Sequence, residues 1–303
     1  PGLKDNIIVY SNAEEVELYN GYRTRSLGIR QKGGKGTHFR WDGVDIQTNL
    51  LYAEARIDGQ TVARDWITLH HLPEDPTLPA LDPDPANLTR PADGYTYLYR
   101  LNAGGPEYRD SNGSIWAADR LFREDNRMGS RSWAEAFPNL DPFFGSKREI
   151  FDPVLGTTDD LLYQSYRYGR DELEFLFRVP EGSYRIELFF IEPFYGTAGE
   201  DARGWRLFDV AVNGRTVLHD VDLFAEAGRA HGVRKIVKAD SQDGLLKIHF
   251  PRVNANQAVI SAIAVATAEG VDAAPVAASK TVFENIDSAI DRLEPRSWLD
   301  TGE

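Results

Sequence analysis

Leu207-Phe208-Asp209-Val210-Ala211-Val212-Asn213-Gly214-Arg215-Thr216-Val217-Leu218 is the stretch that decides the fold class. Phe208, Val210 and Val212 recur at every second position, the period of a strand with one face buried. Asn213-Gly214 follows, the strongest short hairpin signal, and residues 216–218 supply the return strand. Working outward, residues 173–179 and 184–191 alternate just as strongly, with Pro180-Glu181-Gly182-Ser183 as the turn between them. Residues 245–250 and 259–266 complete a strand-rich region over 95–268. Two antiparallel sheets packed face to face, a jelly-roll-like sandwich, are predicted there.

The first 72 residues also read as strands. Residues 6–10 form a β-branched run ending in Ser11-Asn12, and residues 15–19 alternate charged and apolar side chains. Residues 37–41 alternate around Phe39 and Trp41. Residues 51–57 alternate again before the tight turn Asp58-Gly59, and residues 61–69 return. This spacing predicts a second, smaller β-sandwich over 1–72. Residues 73–94 read as a linker, since Pro73, Pro76, Pro79, Pro83, Pro85 and Pro91 forbid regular ladders and favour an extended strut. In 269–303, Val282, Phe283, Ile286, Ile290 and Leu293 recur at helical spacing, which predicts one short amphipathic helix ending at Pro295.

Composition bounds the function. Asp and Glu outnumber Lys and Arg by 47 to 34, a formal net charge of −13. That argues against nucleic acid or an anionic membrane as partner, because both need clustered cations. No apolar run approaches the roughly 20 residues of a membrane-spanning helix. There is no cysteine, so disulfides and thiolate metal sites are excluded. The histidines lack metal-ligand spacing, the Gly33-Gly34-Lys35-Gly36-Thr37 run lacks the spacing of a phosphate loop, and no nucleophile elbow occurs. Asp110-Ser111-Asn112-Gly113 reads as a hairpin turn and not as a calcium loop. No cofactor, metal or catalytic residue is predicted.

Residues suited to a ligand are aromatics in loops. Phe194-Tyr195-Gly196 follows Pro193, where the strand over 184–191 should end. Neighbouring residues of a strand face opposite sides, so two adjacent rings cannot both enter one core. Tyr168 lies beside Gly169 at the end of Leu162-Tyr163-Gln164-Ser165-Tyr166-Arg167-Tyr168, where Tyr163, Tyr166 and Tyr168 can also be read as one strand with a buried face. Trp133 sits in the loop Ser130-Arg131-Ser132-Trp133-Ala134, as a ligand contact or as the loop's anchor.

The order of short motifs adds a resemblance. Tyr99-Arg100-Leu101-Asn102-Ala103-Gly104-Gly105-Pro106-Glu107-Tyr108 is followed by Trp116-Ala117-Ala118-Asp119-Arg120. Then come the tyrosine motif above, Phe189-Phe190-Ile191-Glu192-Pro193-Phe194-Tyr195, Arg206-Leu207-Phe208-Asp209-Val210-Ala211-Val212-Asn213-Gly214 and Val259-Ile260-Ser261-Ala262-Ile263-Ala264-Val265. This series resembles the malectin family of carbohydrate-binding domains. The resemblance implies saccharide contacts for Phe194, Tyr195, Tyr168 and, in a loop of different length, Trp133. The family's acidic residue before the last strand falls at Ala255, so Asn254 or Asn256 is implied as the group meeting sugar hydroxyls. Asn102, Gly104 and Gly105 are implied to shape the turn beside the site.

Val9-Tyr10-Ser11-Asn12-Ala13-Glu14-Glu15-Val16-Glu17-Leu18-Tyr19 with Ser26-Leu27-Gly28 resembles the immunoglobulin-like domain found after the catalytic barrel of many family 2 glycoside hydrolases. Taken together, the two resemblances imply an all-β, non-catalytic carbohydrate-binding region of a larger β-galactosidase-like, retaining and bacterial enzyme. Its partners would be an oligo- or polysaccharide and the enzyme's own barrel, and its location periplasmic or secreted. Pro1-Gly2 opens the chain without an initiator Met, as in a processed or excised piece. The alternatives are spacer domains that brace the barrel without binding sugar, and a module that binds a protein or peptide.

Overall fold

A computed structural model of the protein describes residues 2–170, 173–197 and 199–270. The helix predicted over 282–293 lies outside the described residues. The described chain is all-β, and its two α-helices, Asp160–Gln164 and Leu223–Ala227, have five residues each.

Two sheets form the larger sandwich. One runs Tyr108–Arg109, Ile115–Ala118, Tyr95–Asn102, Ala262–Ala268, Gly182–Phe190, Val233–Ser241. The other runs Met128–Arg131, Glu174–Arg178, Leu245–His249, Leu207–Val212, Arg215–Val221, with Val253–Ala255 also paired to Leu207–Val212. The alternating residues meet between them: Ile186, Leu188 and Phe190 from the first sheet pack with Phe175, Phe177, Phe208, Val210 and Val212 from the second. Phe189 points the other way, edge-on to Trp116 at 5.1 Å between ring centroids, and joins a second core with Leu162, Tyr163 and Ile191. The adjacent Phe189-Phe190 pair is thus buried on both faces of one strand.

The hairpins fall where expected. Val212 pairs with Arg215 across Asn213-Gly214, and Ile57 pairs with Gln60 across Asp58-Gly59. All four turn residues have positive φ, the type I′ pattern that matches strand twist. Tyr108–Arg109 and Ile115–Ala118 form the hairpin around Asp110-Ser111-Asn112-Gly113.

Four expectations need correction. The strand expected over 259–266 is broken at Ser261: Ala258–Ile260 pairs with Ser165–Gly169, while Ala262–Ala268 enters the large sheet. Tyr163 lies on the helix Asp160–Gln164 and not on a strand with Tyr166 and Tyr168. The sheets are not wholly antiparallel, because Ile115–Ala118 runs parallel to Tyr95–Asn102. Leu50–Ile57 is buried on both faces instead of alternating, because Arg23, Arg56 and Arg64 surround the Glu54 carboxylate on the outer side. Burial, then the Glu54 carboxylate, pushes the neighbouring Tyr52 hydroxyl up to about 12.

In the first 72 residues, a four-stranded sheet runs Arg25–Gln31, Glu15–Asn20, Leu50–Ile57, Gln60–Thr68. Two short pairs cover it, Ile7–Val9 with Phe39–Trp41 and Gly2–Lys4 with Val44–Ile46. Their Phe39, Trp41 and Ile46 pack on Val16, Leu18, Leu51 and Ala53.

The proline-rich stretch is bonded at both ends. The Asn49 backbone N–H donates to Pro73 O, and Asp75 accepts from Thr48 and Thr77, so its beginning is tied to the smaller core. The Gly156 N–H donates to Asp82 and the Thr89 hydroxyl to Asp159, so its end lies on the sandwich. Asp152 closes the junction directly: it accepts from the Thr68 hydroxyl at 2.7 Å and pairs with Arg229.

Candidate functional site

A third sheet, Lys147–Glu149, Ser165–Gly169, Ala258–Ile260, sits at one end of the sandwich and carries the site. Where its central strand ends, a cleft of about 340 Å³ opens. Trp133 and Tyr168 line it together with Ser132, Ser146, Arg170 and Gln257. That is a volume suited to a small ligand, with flat rings and a few polar groups to orient it.

Buried polar bonds fix the cleft's walls. Arg167, fully buried, donates from Nη1 to Asp119 Oδ2 at 2.8 Å and to the Ser130 hydroxyl at 2.6 Å. Its Nε donates to Ser146 O and its Nη2 to Arg131 O, each at 2.9 Å, while its guanidinium lies 4.2 Å from the Phe143 ring centroid. One side chain thus ties together the segments on either side of Trp133. Asp119 Oδ2 also accepts from the Gly104 N–H at 3.0 Å. Gly104 has φ +75°, and a Cβ there would stand 3.0 Å from Tyr166 O, so the motif glycine is needed for close approach. The Asn102-Ala103-Gly104-Gly105 turn therefore braces the tyrosine strand from behind, beside the site as the resemblance implies.

Trp133 begins a single 3₁₀ turn, Trp133–Ala136, with a capping box made by Ser132 and Glu135. The Ser132 and Ser146 hydroxyls lie 3.0 Å apart and join the two loop ends. The indole remains 37% exposed, edge-on to Phe137 and Phe144. Tyr168 is half-buried, with the Arg148 guanidinium 5.7 Å from its ring centroid. Burial raises the pKa of the neighbouring Tyr166, which keeps its hydroxyl protonated.

Phe194 and Tyr195 form a second aromatic group. Phe194 is 60% exposed. Its ring is edge-on to Tyr195 at 5.3 Å, and Tyr195 is edge-on to Trp205 at 5.7 Å. The Arg206 guanidinium lies 5.0 Å from the Tyr195 ring centroid. Glu192 holds this group: its Oε1 accepts the Phe194 and Tyr195 N–H groups at 3.0 Å each, and its Oε2 accepts Arg206 Nε at 2.6 Å. Gly196 has φ +96°, and a Cβ there would collide with the Phe224 ring at 2.3 Å.

Gln257 connects the two groups, since it lines the cleft and its carbonyl accepts from Arg206 Nη1. Asn256 donates to Trp205 O and so fixes the loop carrying that indole. Asn254 is directed elsewhere: its amide donates to Asp220 at 2.8 Å, within a surface cluster with Arg252 and Asp209. Trp133 and Tyr168 therefore share one cleft, Phe194 and Tyr195 stand beside it, and Asn256 acts through a backbone carbonyl. Trp205, Arg206, Gln257, Arg148 and Arg170 were not among the residues expected from sequence. Gly204-Trp205 was a readable signal, being a large ring next to a glycine ahead of a strand.

Fold and site together define a β-sandwich module with an aromatic cleft at one end. The chain belongs to the malectin-domain family, whose model matches residues 97–273. Malectin-B of Xenopus laevis is 29% identical over 156 residues, which is 50% of this chain and 48% of that protein. The chain thus spans about half the length of the malectins it matches. A probable LRR receptor-like serine/threonine-protein kinase of Arabidopsis thaliana is 28% identical over 171 residues, 50% of this chain and 16% of that protein. Among solved structures, a Bacteroides uniformis beta-glucuronidase aligns with a TM-score of 0.45 and 19% identity, over 88% of this chain and 28% of that one.

Proposed function

We propose that the protein is a carbohydrate-binding module, with the saccharide ring held between Trp133 and Tyr168 and extended toward Phe194, Tyr195 and Trp205. The observation that carries this reading is the pairing of two partly exposed rings, Trp133 and Tyr168, across one cleft furnished with hydroxyl and amide groups. A pyranose presents apolar C–H faces and a rim of hydroxyls. Aromatic rings cover the first with little loss of side-chain freedom, and Ser132, Ser146, Gln257 and the tyrosine hydroxyl can meet the second.

Around this site we place an accessory, non-catalytic role in a larger family 2, β-galactosidase-like glycoside hydrolase of bacterial origin acting on poly- or oligosaccharides outside the cytoplasm. The support is the Ser11-Asn12-Ala13-Glu14-Glu15-Val16-Glu17-Leu18 run. A β/α barrel needs about 250 residues of its own, so the catalytic carboxylates would lie outside this chain. In this reading 1–72 is an immunoglobulin-like unit, 73–94 a linker, 95–268 the binding unit and 269–303 an extension.

The test is calorimetric titration of the chain with neutral and acidic oligosaccharides, beside Trp133→Ala, Tyr168→Ala and Phe194→Ala. Saccharide binding weakened about tenfold or more by the first two, with unchanged circular dichroism, is expected. Absence of binding across a broad panel would sink the proposal and leave the spacer reading, which Ala255 at the position of the family's acid favours.

A further inference from the structure

The protein carries a net charge of −13, yet the residues lining the cleft include Arg167 and Arg170 and, among the described residues, no Asp or Glu. The charged side chains that line the cleft are thus both cations among the described residues. Arg167 is neutralised by Asp119 and spends its donors on the walls. Two other guanidinium groups remain available. Arg170 is exposed at the rim, and Arg148 is exposed with its guanidinium 5.7 Å from the Tyr168 ring centroid. Neither forms an ion pair with a carboxylate among the described residues, whereas Arg131 and Arg206 at the same end of the molecule are both paired.

We infer that this cleft selects an anionic saccharide, a pyranose bearing a carboxylate or a sulfate ester, with Arg148 and Arg170 gripping the anionic group while Tyr168 and Trp133 cover the ring. The inference rests on the carbohydrate-binding reading above and specifies its ligand class. A guanidinium is planar, permanently charged and weakly hydrated, and it meets a carboxylate or sulfate through two parallel N–H donors. Stacking against Tyr168 restrains Arg148, so less freedom is lost on binding. The net charge of −13 disfavours an anionic chain at long range, so its binding depends on contact with these two guanidinium groups.

The experiment uses the whole chain and three matched oligosaccharides with one backbone: neutral, uronate-bearing and sulfated. Affinities are measured in low and high salt, for the parent protein and for Arg148→Gln, Arg170→Gln and the double variant. Lys238→Gln removes the same charge at an exposed position on the strand Val233–Ser241. The anionic ligand is expected to bind about tenfold more tightly than the neutral one in low salt. That ratio should collapse toward one in the double variant and in high salt, and stay unchanged in Lys238→Gln. Comparison of the uronate and sulfate arms identifies which anion is preferred. Equal or tighter binding of the neutral ligand overturns the inference while leaving saccharide binding intact. Failure of all three ligands overturns both.

Discussion

Arg167 Nη1 donates to Asp119 Oδ2 at 2.8 Å with both side chains out of water, at 0% and 1% exposure. Breaking such a pair from one side strands a charge in a medium that cannot solvate it, which costs about 3–5 kcal/mol. Asp119→Ala should therefore lower the unfolding free energy by about that amount, read from the urea midpoint. Asp119→Asn keeps one oxygen, which at the Oδ2 position still accepts from Arg167 and the Gly104 N–H while the Oδ1 acceptor of the Ser130 hydroxyl is lost, and should cost less. Equal stability of Asp119→Ala and the parent would show that Arg167 finds solvent, contrary to its enclosure.

A second pair of residues governs how the two cores are joined. Thr68 Oγ1 donates to Asp152, which also pairs with Arg229 and faces His70 Nε2 at 3.8 Å. These bonds and the proline-rich segment hold the strand Gln60–Thr68 against the sandwich. In Asp152→Ala, Arg229 loses its carboxylate and Thr68 its acceptor. Small-angle scattering should then report a larger radius of gyration, with the smaller core melting earlier. An unchanged scattering profile would place the rigidity in residues 73–94 alone.

Acid should weaken the fold through His249. Burial, then the like charge of Lys247, lowers its pKa below the ordinary 6.5, and its Nδ1 is buried without a partner. A histidine with a depressed folded pKa binds its proton more tightly when unfolded. Its contribution is therefore complete above about pH 6.5 and is lost as pH falls through the lower folded value. His249→Gln should flatten the stability profile below about pH 6.5 relative to the parent. Parallel profiles for the two proteins across that window would remove His249 as the cause.

What the sequence made legible is local. The inward set Phe208, Val210 and Val212 and the Asn213-Gly214 turn depend on neighbours in the chain and stand as read, although Asp209 and Ala211 on the strand's other face are buried as well. Of the adjacent Phe194 and Tyr195, which follow Pro193 beyond the strand end, Phe194 is the exposed ring. The cleft itself depends on distant register. Tyr168 meets the loop at Gln257 because it pairs with Val259, and Trp205 meets Tyr195 only after the chain leaves and re-enters the sheet. From sequence Asn254 and Asn256 are equivalent. In three dimensions one bonds Asp220 and the other Trp205 O, because the backbone turns through positive φ at Asn256. Tyr163 can be read as sharing a strand with Tyr166 and Tyr168 because tyrosines three and five positions apart do not reveal where a short helix ends.

Glu192 couples stability to the aromatic platform, and the two effects can be separated. Its carboxylate accepts Arg206 through both oxygens, at 2.6 and 3.1 Å, and caps the Phe194 and Tyr195 N–H groups. In Glu192→Gln the new amide N–H₂ would face the donors of Arg206, leaving a buried cation without its counter-charge. A loss of about 3–5 kcal/mol is expected, with saccharide affinity about tenfold weaker as Tyr195 and Trp205 lose their support. Replacing both members of a buried pair by apolar residues is often neutral for stability. The double variant Glu192→Leu with Arg206→Met should therefore recover most of the lost stability. It restores neither the acceptor for the two N–H groups nor the cation over Tyr195, so binding should stay weak. Recovery of both properties would show that the Phe194-Tyr195 platform needs only packing. Recovery of stability alone would assign the Glu192–Arg206 pair to shaping the binding surface.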